Sequence, residues 1–177
     1  MPASIRENDS DVIAFVKAEG VFTVLDVGVG WGTYSTMLRD YVRFIDGIEA
    51  WQPYFDQFDL RSRYDVLIQG DVRTLATQHW RGKTAPYDLI IFGDVLEHME
   101  RDEALEVWAW AHDIARWGLI SLPMGHYPQG PEYGNPFEVH VEGGLTGGEL
   151  LAHGNDFGPF EHFWTYAVTG TFIKRFM

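Results

Sequence analysis

Val24-Leu25-Asp26-Val27-Gly28-Val29-Gly30-Trp31-Gly32-Thr33-Tyr34-Ser35 decides how the rest of the chain is read. Val21 to Val27 is a short apolar run, the mark of a strand covered on both faces. Gly28, Gly30 and Gly32 follow at alternate positions. Glycine enters φ > 0 without a Cβ penalty and lets a ligand approach bare backbone. Thr33 is the expected helix N-cap, and helix formers with an apolar face run from Tyr34 to Tyr41. A strand that enters a helix through glycines leaves N–H groups pointing into the crevice at its carboxyl end. Open α/β sheets take nucleotide-like ligands there.

The spacing is G-x-G-x-G, with Asp26 two residues ahead of the first glycine. Dinucleotide folds carry G-x-G-x-x-G, and Thr33 stands where their third glycine belongs. Working outward, Ser4 to Glu19 reads as a leading helix ended by Gly20, with Val12, Ile13, Phe15 and Val16 on one side. Such a helix either caps the crevice or covers a sheet face. Phe22 to Val27 is the first strand and Phe44 to Glu49 the second. Glu49 ends that strand 17 residues after Gly32, where an acid of a βαβ unit accepts from ribose hydroxyls. Trp51, Tyr54 and Phe55 flank an adenine or simply pack.

Tyr64 to Gln69 is the third strand. Asp71 and Val72 after it are placed for an adenine amino group and a backbone contact; an Asx turn is the alternative for Asp71. A short helix over 73–80 and a loop over 81–86 follow. Tyr87 to Gly93 is the fourth strand, and the polar cluster Asp94-Val-Leu-Glu97-His98 faces the same crevice. Arg101 to Arg116 is an amphipathic helix. Gly118 to Leu122 is the fifth strand.

Residues 123–144 form a long irregular stretch rich in proline and aromatics, with His126 and His140 in it. A long loop of that composition is read as a substrate wall or lid. Thr146 to His153 is a short helix, Thr146 and Glu149 forming a capping box. Residues 157–168 and 170–176 are a final antiparallel pair of strands.

The motif Asp26-x-Gly28-x-Gly30-x-Gly32, with Glu49, Asp71 and the Glu97-His98 segment in order, resembles class I S-adenosylmethionine-dependent methyltransferases over about residues 20–125. The resemblance implies an α/β, Rossmann-like, doubly wound sheet of seven mostly parallel strands, the last reversed. It implies that S-adenosylmethionine is the cofactor. Gly28, Gly30 and Gly32 would line its methionine and ribose end, and Asp26 would order the turn or hold the amino group. Glu49 would hold the ribose, Asp71 and Val72 the adenine, and Asp94 the methionine portion. A hydroxyl acceptor needs a base, and His98, His126 and His140 are the catalytic candidates.

The set Asp94-x-x-Glu97-His98 with His140 also resembles the metal ligands of small-RNA 2′-O-methyltransferases, with Asp94 in place of their first glutamate. Two carboxylates and two imidazoles suit Mg²⁺ or a transition ion. Many small-molecule methyltransferases share Glu-His here without a metal, and the reading adopted assigns none.

Length and composition bound the rest. The 177 residues are enough for one domain with a full core, read as spanning 1–177. There is no cysteine, which excludes disulfides and thiolate chemistry and fits a cytoplasmic enzyme. No apolar run approaches the ~18 residues of a membrane span, and no signal peptide is visible in the first residues. The net charge is −13. Residues 93–163 hold 13 acids against only Arg101 and Arg116. A nucleic-acid partner needs the opposite sign. The expected acceptor is therefore a small molecule, an oxygen or nitrogen of a sugar or natural-product intermediate. The alternatives are a metal-dependent RNA methyltransferase, a nicotinamide enzyme and a non-catalytic binding module of the same fold.

Overall fold

The computed structural model describes residues 6–81, 85–142, 144–152 and 154–177. Its strands are β1 (Thr23–Val27), β2 (Phe44–Glu49), β3 (Val66–Gln69), β4 (Tyr87–Gly93), β5 (Ala115–Pro123), β6 (His162–Thr165) and β7 (Thr169–Arg175). The helices are α1 (Asp9–Ala18), α2 (Thr33–Leu38), α3 (Pro53–Gln57), α4 (Val72–Thr77), α5 (Arg101–Ile114) and α6 (Gly147–Leu151). One seven-stranded sheet runs β3-β2-β1-β4-β5-β7-β6. The first five strands are parallel, and β7 runs antiparallel between β5 and β6. This is the expected Rossmann-like sheet. The chain reverses its order between β1 and β4, the place where such sheets bind ligands.

The central strands are apolar on both sides because each face has its own core. Leu25, Val27, Ile90, Phe92, Ile120 and Leu122 point to the face covered by α4 and α5, where Trp108, Ala111 and Ala76 pack. Val24, Leu89, Ile91, Trp117 and Leu119 point to the other face, against Val12 and Val16 of α1 and Leu38 of α2. The side-chain period of two divides one hydrophobic run between two layers. So α1 covers a sheet face, and the Phe15 ring meets Trp117 edge-on at 5.3 Å. Ahead of it, the 3-10 turn Arg6–Asn8 reaches across the carboxyl end of the sheet, where the Asn8 Nδ2 donates to Thr171 Oγ1 at 2.7 Å.

Several boundaries differ from the expected ones, each for a local reason. Thr33 is the first helical residue of α2 and not its cap; Gly32 takes the cap position at φ +75°. The α2 helix ends at Leu38, three residues before Tyr41. Asp71 is the cap of α4, its side chain accepting from the Arg73 N–H, so this helix begins before residue 73. The α5 helix passes directly into β5, which starts at Ala115 and not Gly118. The Thr146–Glu149 capping box is present on α6. β6 is far shorter than 157–168 because Asn155 Oδ1 accepts from the N–H groups of Phe157 and Gly158, making a turn. Phe157 is thereby buried in the core. Residues 1–5, 82–84 and His153, parts of the expected leading helix, loop and last helix, lie outside the described residues. Among the described residues no helix is long and apolar enough to cross a membrane.

Candidate functional site

The glycine turn between β1 and α2 places Gly28, Gly30 and Gly32 at φ +67°, +49° and +75°. Alternate left-handed residues explain the alternate glycines. At Gly28 there is no room as well, since a Cβ would lie 2.6 Å from Val95 Cγ2. The turn forms one lip of a cavity of about 910 Å³ at the carboxyl ends of β1 to β4. That volume is near the top of the ~300–1,000 Å³ range of small-molecule sites.

Gly28, Gly30, Glu49, Asp71, Val72 and Asp94 all lie on the cavity wall, while Asp26 and Gly32 stand behind it. Glu49 is buried at the end of β2. Its two oxygens accept from the N–H groups of Gly30 at 3.1 Å and Trp51 at 2.7 Å. Burial pushes its carboxyl up to about 7 against the pull of those two donors. Asp26 is fully buried one strand away and accepts from the Tyr64 hydroxyl at 2.7 Å. Burial raises it to about 7 too, opposed by Tyr64 and assisted by the charge of Glu49. Asp71 pairs with Arg73 at 2.6 Å. Burial would raise its carboxyl, but the Arg73 bonds outweigh it and hold it below the usual range.

The other end of the cavity is built differently. Asp94 leaves β4 at φ +54°, its N–H donating to the Ser121 carbonyl at 2.7 Å. A non-glycine residue there is strained backbone, which persists where its surroundings hold it. Glu97, in the 3-10 turn Leu96–His98, is 3 % exposed, and neither carboxylate oxygen has a hydrogen-bond partner. Burial, then the charge of Asp94, raises its carboxyl well above the ordinary range. The ligand-capable atoms of Glu97, His98 and His140 lie within 4.8 Å of one another. The two imidazoles meet edge-on at 4.7 Å between centroids. His140 Nδ1 is bonded to the Tyr127 carbonyl, which leaves Nε2 free for a ligand. This is the outer-shell bond that orients metal-binding histidines. Burial, then the neighbouring His140, pushes His98 down to about 4. Burial lowers His140 as well; the neutral imidazole is the form that coordinates.

Residues 123–142 make the facing wall; Gly143, within the expected 123–144 loop, lies outside the described residues. Gln129 Nε2 donates to the Glu138 carbonyl at 2.9 Å, and the His140 N–H donates to the Gln129 carbonyl at 3.2 Å. Tyr54 of α3 donates to Glu138 Oε1 at 3.3 Å, tying the wall to the β2–β3 end of the cavity. Tyr127 and Phe137 stand at the rim, 62 % and 38 % exposed.

Of the three histidine candidates, His98 and His140 face the cavity. His126 is exposed and lines a separate small cavity that shares Glu97 and His140. Of the four residues of the ligand resemblance, Glu97, His98 and His140 converge, and Asp94 is outside that group. Sequence reading missed Tyr34, Gln129, Asn135 and Glu138, all on the wall. Tyr34 looks like an ordinary apolar-face residue of a helix. The other three carry no motif, and only the length and aromatic content of their loop marks them.

No protein-family model and no curated protein matches the sequence. Solved structures do match. The methyltransferase domain of bacterial CtHen1 superposes with TM-score 0.64 at 18 % identity, over 95 % of this chain and 97 % of that one. Magnesium protoporphyrin IX methyltransferase from Synechocystis PCC 6803, with S-adenosylhomocysteine bound, gives 0.66 at 14 % identity over 95 % and 81 %. The mitomycin 7-O-methyltransferase MmcR gives 0.63 at 16 % identity over 95 % of this chain and 53 % of its own. The chain spans about half the length of others it matches, 49 % in one case. The fold is that of S-adenosylmethionine-dependent methyltransferases.

Proposed function

We propose that the chain is an S-adenosylmethionine-dependent methyltransferase acting on a small-molecule acceptor. The cavity carries this reading: a glycine turn with left-handed alternate residues, a buried acid closing β2 and a polar cluster after β4 share one wall. The carboxyl groups fit the cofactor. Glu49 holds its carboxylate toward the ribose position, with two backbone donors fixing its orientation. Asp71 and Val72 stand at the adenine end and Asp94 at the methionine end. The cofactor brings an already activated methyl group, so the protein's part is alignment and exclusion of water. The 123–142 wall supplies that exclusion.

A second feature carries a metal-assisted version of the reading. A buried carboxylate with both oxygens unpartnered is costly unless something charged completes it. Glu97 meets that description beside two imidazoles, and the three fit a divalent cation. Such a cation would polarise an acceptor oxygen. The acceptor is then a hydroxyl. The cavity wall carries Glu49, Asp71, Asp94, Glu97, Glu132 and Glu138 against Arg73 alone among Lys and Arg. Arg73 is already held by Asp71 and Glu103. Among the described residues a phosphodiester backbone meets no unpaired Lys or Arg on that wall, which favours a neutral or cationic small molecule over RNA.

Calorimetric titration with S-adenosylmethionine, S-adenosylhomocysteine and NAD tests the cofactor. Micromolar binding of the first two and none of NAD is expected. Absence of binding by either adenosyl ligand would leave the domain as a partner module. Repeating the titration with Mn²⁺ on protein dialysed against EDTA tests the cation site directly.

A further inference from the structure

S-Adenosylmethionine carries a carboxylate that must lose water when it enters the cavity, and a buried anion needs a donor. Proteins commonly meet it with Arg or Lys, but among the described residues the wall offers only Arg73, engaged at the opposite end by Asp71 and Glu103. Among the described residues, the donors left at the methionine end are neutral ones.

Tyr34 is the side chain placed for it. It lies in the first turn of α2, directly behind the glycine turn, is 3 % exposed, and lines the cavity. Its hydroxyl is buried without a well-formed hydrogen bond. Asn8 and Ser121 stand within interaction range of it, but neither closes a hydrogen bond of good geometry with it. Asn8 Nδ2 is directed to Thr171 Oγ1 at 2.7 Å and Ser121 Oγ at 3.3 Å. The adenosine contacts expected of Glu49 and Asp71 lie toward β2 and β3. Tyr34, with Ser121 beside it, lies toward β4 and β5. A buried hydroxyl whose neighbours offer no well-placed acceptor can turn its proton to a ligand at that end.

We infer that the Tyr34 hydroxyl donates a hydrogen bond to the carboxylate of the cofactor's methionine portion, making it a binding residue for the amino-acid end. The inference rests on the cofactor reading above. Burial first, then the charge of Asp94, raises the phenol well above its ordinary range, so it stays a proton-bearing donor at all working pH values.

The test is calorimetric titration of wild type and Tyr34→Phe with two ligands. One is S-adenosylmethionine; the other is decarboxylated S-adenosylmethionine, which keeps the sulfonium and amine and lacks only the carboxylate. A hydrogen bond to a charged group predicts a loss of roughly tenfold to a hundredfold for the full cofactor in Tyr34→Phe. Affinity for the decarboxylated ligand is expected to be unchanged. Thermal melting of the ligand-free variant checks the fold. The inference expects it at or above wild type, because Phe removes an unsatisfied buried hydroxyl. Equal losses for both ligands, or none for either, overturn the inference while leaving the cofactor reading intact. Failure of wild type to bind either ligand overturns both.

Discussion

The two ends of the cavity differ in how their polar groups are satisfied. At the β2–β3 end every acid has a partner inside the chain: Glu49 has two backbone N–H groups, Asp71 has Arg73, and Asp26 behind them has Tyr64. At the β4–β5 end the Glu97 carboxylate, His98 Nδ1 and the Tyr34 hydroxyl are buried with no hydrogen bond of good geometry. A protein tolerates unsatisfied buried groups where something else completes them. The first end is thus preformed to orient a ligand, and the second is built to be finished by one. The difference also separates two kinds of variant. Changes at the preformed end act on both stability and binding. Changes at the unfinished end act on binding and leave the empty fold as stable or more so.

The largest effect is expected at Glu97. Glu97→Gln removes the charge but little volume, and it should lower Mn²⁺ affinity at least a hundredfold, a change read by calorimetry on EDTA-dialysed protein. The same variant should melt no lower than wild type, since an uncompensated buried carboxyl is lost. A drop of many degrees in melting temperature would show that Glu97 holds the fold together, and the contrast between the two ends would fail.

The next effect belongs to the preformed end. Gly28→Ala forces a Cβ into φ +67° and to within 2.6 Å of Val95 Cγ2. Left-handed strain and overpacking together should cost about 2 kcal/mol, read as a lower urea midpoint with unchanged m-value. Val95→Ala in the same chain should recover part of it, because it removes the overlap but not the strain. Full recovery would mean that the backbone at Gly28 is free to relax.

These two positions also show what a sequence makes legible. Gly28 could be read because a left-handed turn under a close neighbour admits little else, so the requirement is written in one residue type. Glu49 and Asp94 could be placed because a parallel βαβ unit brings the carboxyl ends of successive strands to one crevice. The alternation of Leu89 to Phe92 gives a strand buried on both sides for the same reason. The Thr33 cap was misplaced because Ser and Thr are favoured caps, whereas here the turn itself supplies a left-handed Gly32 in that position. His126 and His140 look alike in sequence. What separates them is the path of an irregular loop, fixed by contacts such as Val141 N–H to the Glu97 carbonyl at 3.3 Å. No periodicity encodes such contacts. Tyr34 was invisible for a different reason: an unsatisfied hydroxyl is a property of the surroundings and not of the residue.

A smaller effect, of about tenfold, concerns pH. Burial holds the Glu49 proton up to about pH 7, whereas an ordinary Glu releases it near 4.5. The folded state therefore binds more protons than the unfolded one between those values. In that window Glu49 costs stability as pH rises, and the cost is level above about 7. Ribose binding has the opposite sense, because two hydroxyl donors require the carboxylate. Affinity for S-adenosylhomocysteine should then rise about tenfold from pH 6 to pH 7 at most, and level off above. Glu49→Gln should bind more weakly and lose this slope. A slope that survives in Glu49→Gln would assign it to Asp26, the other carboxyl raised to about 7 in the same strand layer.

The smallest effect tests whether the facing wall belongs to the preformed end or the unfinished one. Tyr54 ties it to the β2–β3 end, its hydroxyl meeting Glu138 at 3.3 Å, a long bond, with Asn135 of the same wall beside it. Tyr54 is a fully buried residue of α3, so its ring packing survives in Tyr54→Phe and only the hydroxyl contacts are lost. The expected cost is below about 1 kcal/mol. It should appear not as a melting shift but as local opening: amides of residues 129–141 should exchange up to about fivefold faster, with those of β1 and β4 unaffected. Affinity for S-adenosylhomocysteine should hold, because the ties of Glu49 to Gly30 and Trp51 do not pass through this wall. If exchange in β1 rose with it, the wall and the glycine turn would open together. The cavity would then be one cooperative unit and not two ends with separate duties.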